Sequence, residues 1–169
     1  MILIIYLDLL DNTFKKYNYK DPQPFIKIFA KNIIEWIIEN LNINHFNNIL
    51  LIYNDNDFKY IIQNIFKNCL YYKKISFIFI ELNIINSILC NIENMNNNES
   101  ILYIDTKNLY LDNLTLLINN NNTIFYVEEE IESSKNIYVS IKNNQVNNIL
   151  SSNKMNNSFI LVGSFGFKS

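Results

Sequence analysis

Behind the first apolar run of this 169-residue chain lies a short segment, Asp8 to Pro24, that holds most of the polar chemistry of the N-terminal region. It contains Asp8, Asp11, Thr13, Lys15, Lys16, Lys20 and, between two prolines, Gln23. A loop that leaves a strand and meets a proline-flanked polar residue is a frequent cradle for nucleotide phosphates, because backbone N–H groups and cations converge there. This loop has no glycine to let the backbone approach a phosphate and no arginine to grip one bidentately. Lys15, Lys16 and Lys20 are its phosphate-contact candidates, and ordinary surface lysines are the plainer reading. Asp8 and Asp11 read as solvated loop acids, with metal ligation as the second reading. Asp105 ends a later apolar run, and its distance from Asp112 does not match a D-x-D metal pair; strand-end Asp is common in turns. His45, in NINHFNN, has no Ser or Cys near it in the pattern and reads as a loop histidine. Tyr19 and Trp36 read as packing residues rather than stacking platforms. Cys69 and Cys90 read as buried free thiols of a reducing compartment, a disulfide being the lesser alternative.

These residues need elements to hold them. Ile2–Leu10 is an apolar, β-branched-rich run that reads as a buried strand. Ile33, Ile34, Ile37, Ile38 and Leu41 recur at helical spacing behind Asn32, a good N-cap, so a helix is predicted over 32–41. Asn48–Asn54 predicts a second strand, Asp57–Leu70 a helix capped by Asp57, and Lys74–Ile80 a third strand. Ile84–Met95 predicts a third helix and Ile101–Asp105 a fourth strand. Such alternation means βαβ units and a mostly parallel, Rossmann-like α/β sheet flanked by helices. After residue 105 the segments TIFYVEE, IYVSIK, QVNNIL and FILVGSFGF are strand-like, so the second half is β-richer. A single domain over 1–169 is expected, with a βαβ half to about 105 and a β-rich half over 106–169. In such sheets ligands sit beyond the carboxyl ends of the strands, here at Leu7–Asn18, Glu81–Asn86 and Asp105–Asn108.

Composition narrows the partners. The chain is 49% hydrophobic with a net charge of −2, which argues against a nucleic-acid binder as a class. No apolar run reaches the ~18–20 residues of a membrane span, and the start MILIIYLDLL lacks the basic region of a signal peptide. Neither nucleic acid nor a membrane is therefore expected as a partner, and a cytoplasmic location is expected. Arginine is absent, alanine occurs once, and Asn and Ile abound, a pattern of an AT-rich genome such as a large DNA virus, a protist or an AT-rich bacterium. For a viral protein the location becomes the host cytoplasm or the virion. The Asn-rich pieces ENMNNNES and INNNNT read as loops, and EEEIESSK (Glu128–Lys135) as a solvated loop or short helix.

The stretch LDLLDNTFKKYNYKDPQPFIKIFAKNIIEWIIENLN resembles the opening of the sugar-1-phosphate nucleotidyltransferases (nucleotide-sugar pyrophosphorylases), above all their capsular-polysaccharide-type branch. That family opens with a strand, a G-x-G-x-R-F loop, a Y-x-x-P-K-P-L segment and a helix like IIEWVIENL. Phe14, Lys15, Lys16, Tyr19, Pro22, Pro24, Ile26, Ile34, Glu35 and Asn40 fall where the family has similar residues. Later, ESILYIDTKNLYLD and LVGSFGFKS are similar to its metal-aspartate strand and its v-G-i-Y-y-F strand, more loosely. The resemblance implies a GT-A-like fold and a place in sugar-nucleotide or glycan metabolism. The family domain runs on past that strand, so a shortened version or a fragment is expected.

The resemblance also implies which positions have changed. Leu9 and Asp11 stand at the loop glycines, Thr13 at the loop arginine and Gln23 at the proline-flanked lysine. Lys107 stands at the metal aspartate, two residues from Asp105, and Leu82 at the glycine after the third strand, beside Asn83. The family's E-K pair falls near Ser151–Asn153, with no acid or base in the matching register. Codon bias would have kept a lysine at 23 and an aspartate at 107. Each lost charge-assisted contact is worth ~1.5–3 kcal/mol, and Asp8 and Asp11 set negative charge where a triphosphate would lie.

Three outcomes follow. The chain is a pyrophosphorylase-like protein without that activity, weakly binding a nucleotide-sugar or partnering an active glycan-synthesis enzyme. Or it is an active nucleotidyltransferase or glycosyltransferase-like enzyme with a rearranged magnesium site built on Asp8 or Asp11 with Asp105. Or it is a structural protein with Leu9 and Leu82 filling the cleft. The nucleotide-contact positions are then Leu7, Asp8, Leu9, Asp11, Lys15 and Asn83. No cofactor is expected unless the chain is active, and the oligomeric state is open.

Overall fold

The structure, a computed structural model, describes residues 1–10, 14–80, 99–106, 123–127, 138–142, 145–150 and 158–167. Its centre is β1 (Ile2–Leu7), six buried apolar residues. Each strand residue sends its side chain to alternate faces. Leu3, Ile5 and Leu7 join one apolar cluster, and Ile2, Ile4 and Tyr6 join the other. Burying one such side chain contributes roughly 1.5–3 kcal/mol, so β1 anchors both layers.

The chain then forms a two-stranded hairpin, β2 (Lys27–Ile28) and β3 (Lys31–Asn32), and enters helix α1 (Ile33–Glu39). The Glu35 carboxylate accepts the backbone N–H of Asn32 at 2.8 Å, the reciprocal half of a capping box, so the predicted cap at Asn32 is present. Strand β4 (Asn48–Tyr53) pairs parallel with β1, Leu7 opposite Tyr53. Helix α2 (Lys59–Phe66) leads to β5 (Ile75–Phe79), parallel to β4. Ile34, Ile37 and Ile38 of α1 and Ile62 and Phe66 of α2 share the cluster of Leu3, Ile5 and Leu7, so both helices cover one face of the sheet.

Strand β6 (Ile101–Asp105) lies on the other side of β1, again parallel. The parallel order is thus β5-β4-β1-β6. Beyond β6 the sheet turns antiparallel. Strand β10 (Ser158–Phe167) pairs with β6, with β7 (Thr123–Val127) and with β8 (Tyr138–Lys142), and β8 pairs with β9 (Gln145–Leu150). The strand-rich second half therefore continues the parallel sheet through the β6–β10 seam.

The main departures from the expected boundaries are at β1 and α2. β1 ends at Leu7 rather than Leu10, because the Leu9 amide bonds to a side chain instead of a strand. α2 is shorter than Asp57–Leu70. Its entry is a 3-10 turn, Asn56–Phe58, capped by Asp55, whose side chain accepts the Asp57 N–H at 3.0 Å; Asp57 is not the cap. The predicted helix over 84–95 lies outside the described residues.

Candidate functional site

Successive parallel strands step from β1 to β4 to β5 in one direction, whereas β6 is added on the opposite side of β1. A crevice opens at such a reversal, outside the carboxyl ends of the strands. Those ends carry Leu7 and Asp8, Tyr53 and Asn54, and Asp105 and Thr106.

Their side chains are linked. Asn54 donates through Nδ2 to the Tyr6 hydroxyl at 3.0 Å and to Asp8 Oδ1 at 3.0 Å. Its Oδ1 accepts the Leu9 backbone N–H at 2.8 Å. One carboxamide thereby satisfies a phenol, a carboxylate and the first amide of the loop, each able to use it in a different role. Thr106, buried, donates its hydroxyl to the Tyr6 carbonyl at 3.1 Å, which fixes the turn out of β6 against β1. Gln23 Nε2 reaches the Thr106 carbonyl at 3.5 Å, the outer limit of a hydrogen bond, so the Pro22–Phe25 turn lies against the end of β6.

Two carboxylates, Asp8 and Asp105, act on the Tyr6 phenol at this crevice. Burial raises the Tyr6 phenol to about 12, the charges of Asp8 and then Asp105 push the same way, and the Asn54 hydrogen bond opposes them. The Tyr6 hydroxyl stays protonated at neutral pH and senses both carboxylates at once. Two carboxylates at one sheet edge repel a phosphate unless a cation lies between them. Among the described residues no group of three or more His, Cys, Asp or Glu converges as a metal cage.

Beside the crevice, between residues 9–10 and 14–22 and the turn that leads into α2, is an open cleft of about 180 Å³. Leu9, Leu10, Phe14, Pro22 and Phe58 give it apolar walls, and Lys15, Lys20, Asp21 and Asp55 give it charged ones. Phe58 is held by stacking on Phe25, ring centroids 5.6 Å apart. Its volume lies below the ~300–1,000 Å³ of a pocket for a drug-sized ligand.

The expected site residues fall into groups. Leu7 is fully buried in the core and offers only backbone. Asp8, Gln23 and Asp105 converge on the ends of β1 and β6. Leu9 is 4% exposed, packed into the helix-side core and also against the cleft, whereas Lys15 is exposed on its wall. Asp11, Thr13, Leu82, Asn83, Lys107 and Asp112 lie outside the described residues. His45 sits in an exposed turn with its Nε2 3.1 Å from Asn42 Nδ2. Trp36 donates its indole N–H to the Ile28 carbonyl, and Tyr19 packs edge-on against Phe14, both packing roles. Tyr6 and Asn54 are absent from the sequence-based set, and Thr106 enters it only within the range Asp105–Asn108. Their one sequence signal is position, as polar groups at the carboxyl ends of apolar strands.

No protein-family model matches the sequence, and no curated protein matches it. Solved structures do match in fold. A mannose-6-phosphate isomerase from Helicobacter pylori superposes with a TM-score of 0.76 at 15% identity, over 99% of this chain and 70% of that one. A CTP:phosphocholine cytidylyltransferase from Streptococcus pneumoniae gives 0.69 at 18% identity, over 99% and 71%. An inositol-1-phosphate CTP transferase from T. maritima gives 0.70 at 12% identity, over 99% and 70%. At these identities the likeness is one of fold, a Rossmann-like α/β sheet of the kind that nucleotidyltransferases use.

Proposed function

We propose that this chain is a nucleotidyltransferase-like protein of sugar-nucleotide or glycan metabolism that does not itself transfer nucleotides. Nucleotidyl transfer asks the loop after the first strand to present free backbone N–H groups and cations to the phosphates. The observation that carries the reading is the Leu9 amide. Its N–H is bonded to Asn54 Oδ1, and the Leu9 side chain is packed into the core. A neutral oxygen of the chain itself thus occupies the donor that a phosphate oxygen would need. Asp8 and Asp105 add negative potential at the same edge. The role left to such a site is weak binding of a nucleotide-sugar or partnership with an active glycan-synthesis enzyme.

A second reading draws on the same two carboxylates. Asp8 and Asp105 act together on Tyr6, and hard oxygen ligands of that kind suit Mg²⁺, which takes one or two carboxylates and completes its shell with water and phosphate. When bound, the ion would neutralise phosphoryl oxygens. Asp8 and Asp105 would hold it, and Lys15 would offer a cation from the cleft wall.

A thermal-shift titration with nucleoside triphosphates and nucleotide-sugars, with and without Mg²⁺, separates the two. The first reading expects no stabilisation by triphosphates and at most a small one by nucleotide-sugars, unaffected by Mg²⁺. A Mg²⁺-dependent shift with a triphosphate, abolished in Asp105→Asn, would favour the second reading and reject the first.

A further inference from the structure

Charge in this chain is unevenly placed. Residues 14–31 hold five lysines against one aspartate in a protein whose total is −2, and with Lys31 paired to Glu39 four of those lysines remain to one aspartate. Lys15, Lys16, Lys20 and Lys27 are all exposed. Interleaved with them are exposed rings and apolar side chains: Tyr17, Tyr19, Ile28 and, at 90% exposure, Phe29. Because β1 and β4 are parallel, α1 must run back along the sheet, so the described residues between Leu7 and Ile33 belong to a connection that starts and ends on the carboxyl side of the sheet. The lysine-tyrosine segment and the β2–β3 hairpin are both parts of that connection.

The hairpin holds Phe29 outward. Lys27 pairs with Asn32 and Ile28 with Lys31, leaving Phe29 and Ala30 as a two-residue turn. Both have positive φ, 49° and 67°, the backbone of a type I′ turn that ordinarily selects Asn-Gly. Trp36 Nε1 ties the Ile28 carbonyl at 2.9 Å, and Lys31 Nζ is held by both Glu39 oxygens. The turn is braced from the α1 side, with a large apolar side chain at its apex.

We propose that residues 14–31 form a docking surface for an anionic phospholipid bilayer, with Phe29 entering the interfacial layer and Lys16, Lys20 and Lys27 lying over the headgroups. Local positive charge complements the surface, and exposed Tyr and Phe on the same limb suit a boundary that is apolar on one side and wet on the other. The whole-chain charge and the lack of an apolar span argue only against a strongly basic or membrane-spanning protein; they do not bear on a local patch. Asp8 and Asp105 at the strand ends and Asp55 and Asp57 on the β4–α2 turn oppose an anionic surface, so the contact is assigned to the 14–31 limb and not to the whole edge. A nucleic-acid surface fits less well: the chain has no arginine to stack on bases or fork to phosphates.

The test is co-sedimentation of the full chain with phosphatidylcholine vesicles, with and without phosphatidylserine. Binding is expected only with phosphatidylserine and should weaken as salt rises. Lys16→Ala and Lys27→Ala should each weaken it about fivefold, and Phe29→Ser about tenfold or more. All three side chains are exposed and outside the cleft lining, so circular dichroism should be unchanged. No binding, equal binding to phosphatidylcholine alone, or unchanged binding in all three variants would overturn the proposal. So would displacement from the vesicles by a single-stranded oligonucleotide whose own binding falls in the same variants, which would assign the surface to nucleic acid.

Discussion

The Asn54 carboxamide oxygen accepts the backbone N–H of Leu9 at 2.8 Å, joining the end of β4 to the first residues of the loop after β1. The same side chain donates to Asp8 and Tyr6. Asn54→Ala removes all three bonds and leaves a backbone amide at a buried residue without its partner. It is expected to cost about 1–3 kcal/mol of unfolding free energy, measured as a lower denaturant midpoint at unchanged slope. A cost near zero would mean that the loop finds its hydrogen bonds elsewhere.

Tyr6 sets a pH dependence. Its phenol is raised from 10 to about 12 by burial, Asp8 and Asp105. The native state therefore keeps a proton that the unfolded chain releases. Stability tied to this group is fully present below pH 10 and is lost as pH rises from 10 through about 12. One pKa unit corresponds to about 1.4 kcal/mol. Burial raises Tyr53 and Tyr71 as well, so the readout is a difference. Tyr6→Phe should lose less stability across that window than the wild-type chain, and identical curves would remove Tyr6 from the account.

The β2–β3 turn predicts a stabilising change. Ala30 has φ of 67°, a region that costs a non-glycine residue about 1–2 kcal/mol. Glycine removes that cost and adds back part of it through unfolded-chain entropy. Ala30→Gly should raise stability by about 0.5–1 kcal/mol in chemical denaturation. A loss of stability would show that the turn is not held at positive φ.

Much of the fold was legible because its signals are local. β1, β4, β5 and β6 are predominantly apolar runs, α1 shows a clear helical stripe, and Asn32 precedes Glu35 at capping-box spacing. The limits of α2 were not, because Asp55 and Asp57 are both plausible caps and only the 3-10 turn decides between them. The site was legible in part. Asp8, Gln23 and Asp105 are polar residues that the sequence sets at a loop and at strand ends, and the fold brings them to one edge. Asn54 was missed for a physical reason. In a chain crowded with asparagine its composition carries no signal, and its role depends on β4 lying next to β1, a long-range pairing that periodicity does not encode.

The central claim is that this sheet edge does not run nucleotidyl transfer, and pyrophosphate release tests it most directly. The purified chain is supplied with Mg²⁺, each nucleoside triphosphate and a panel of sugar-1-phosphates. Losing even one transition-state donor can cost ~10²–10³ in rate, and here the Leu9 amide is occupied and the proline-flanked position is Gln23. The account predicts no pyrophosphate above the enzyme-free control. Release that depends on a sugar-1-phosphate and disappears in Lys15→Ala or Asp105→Asn would contradict it.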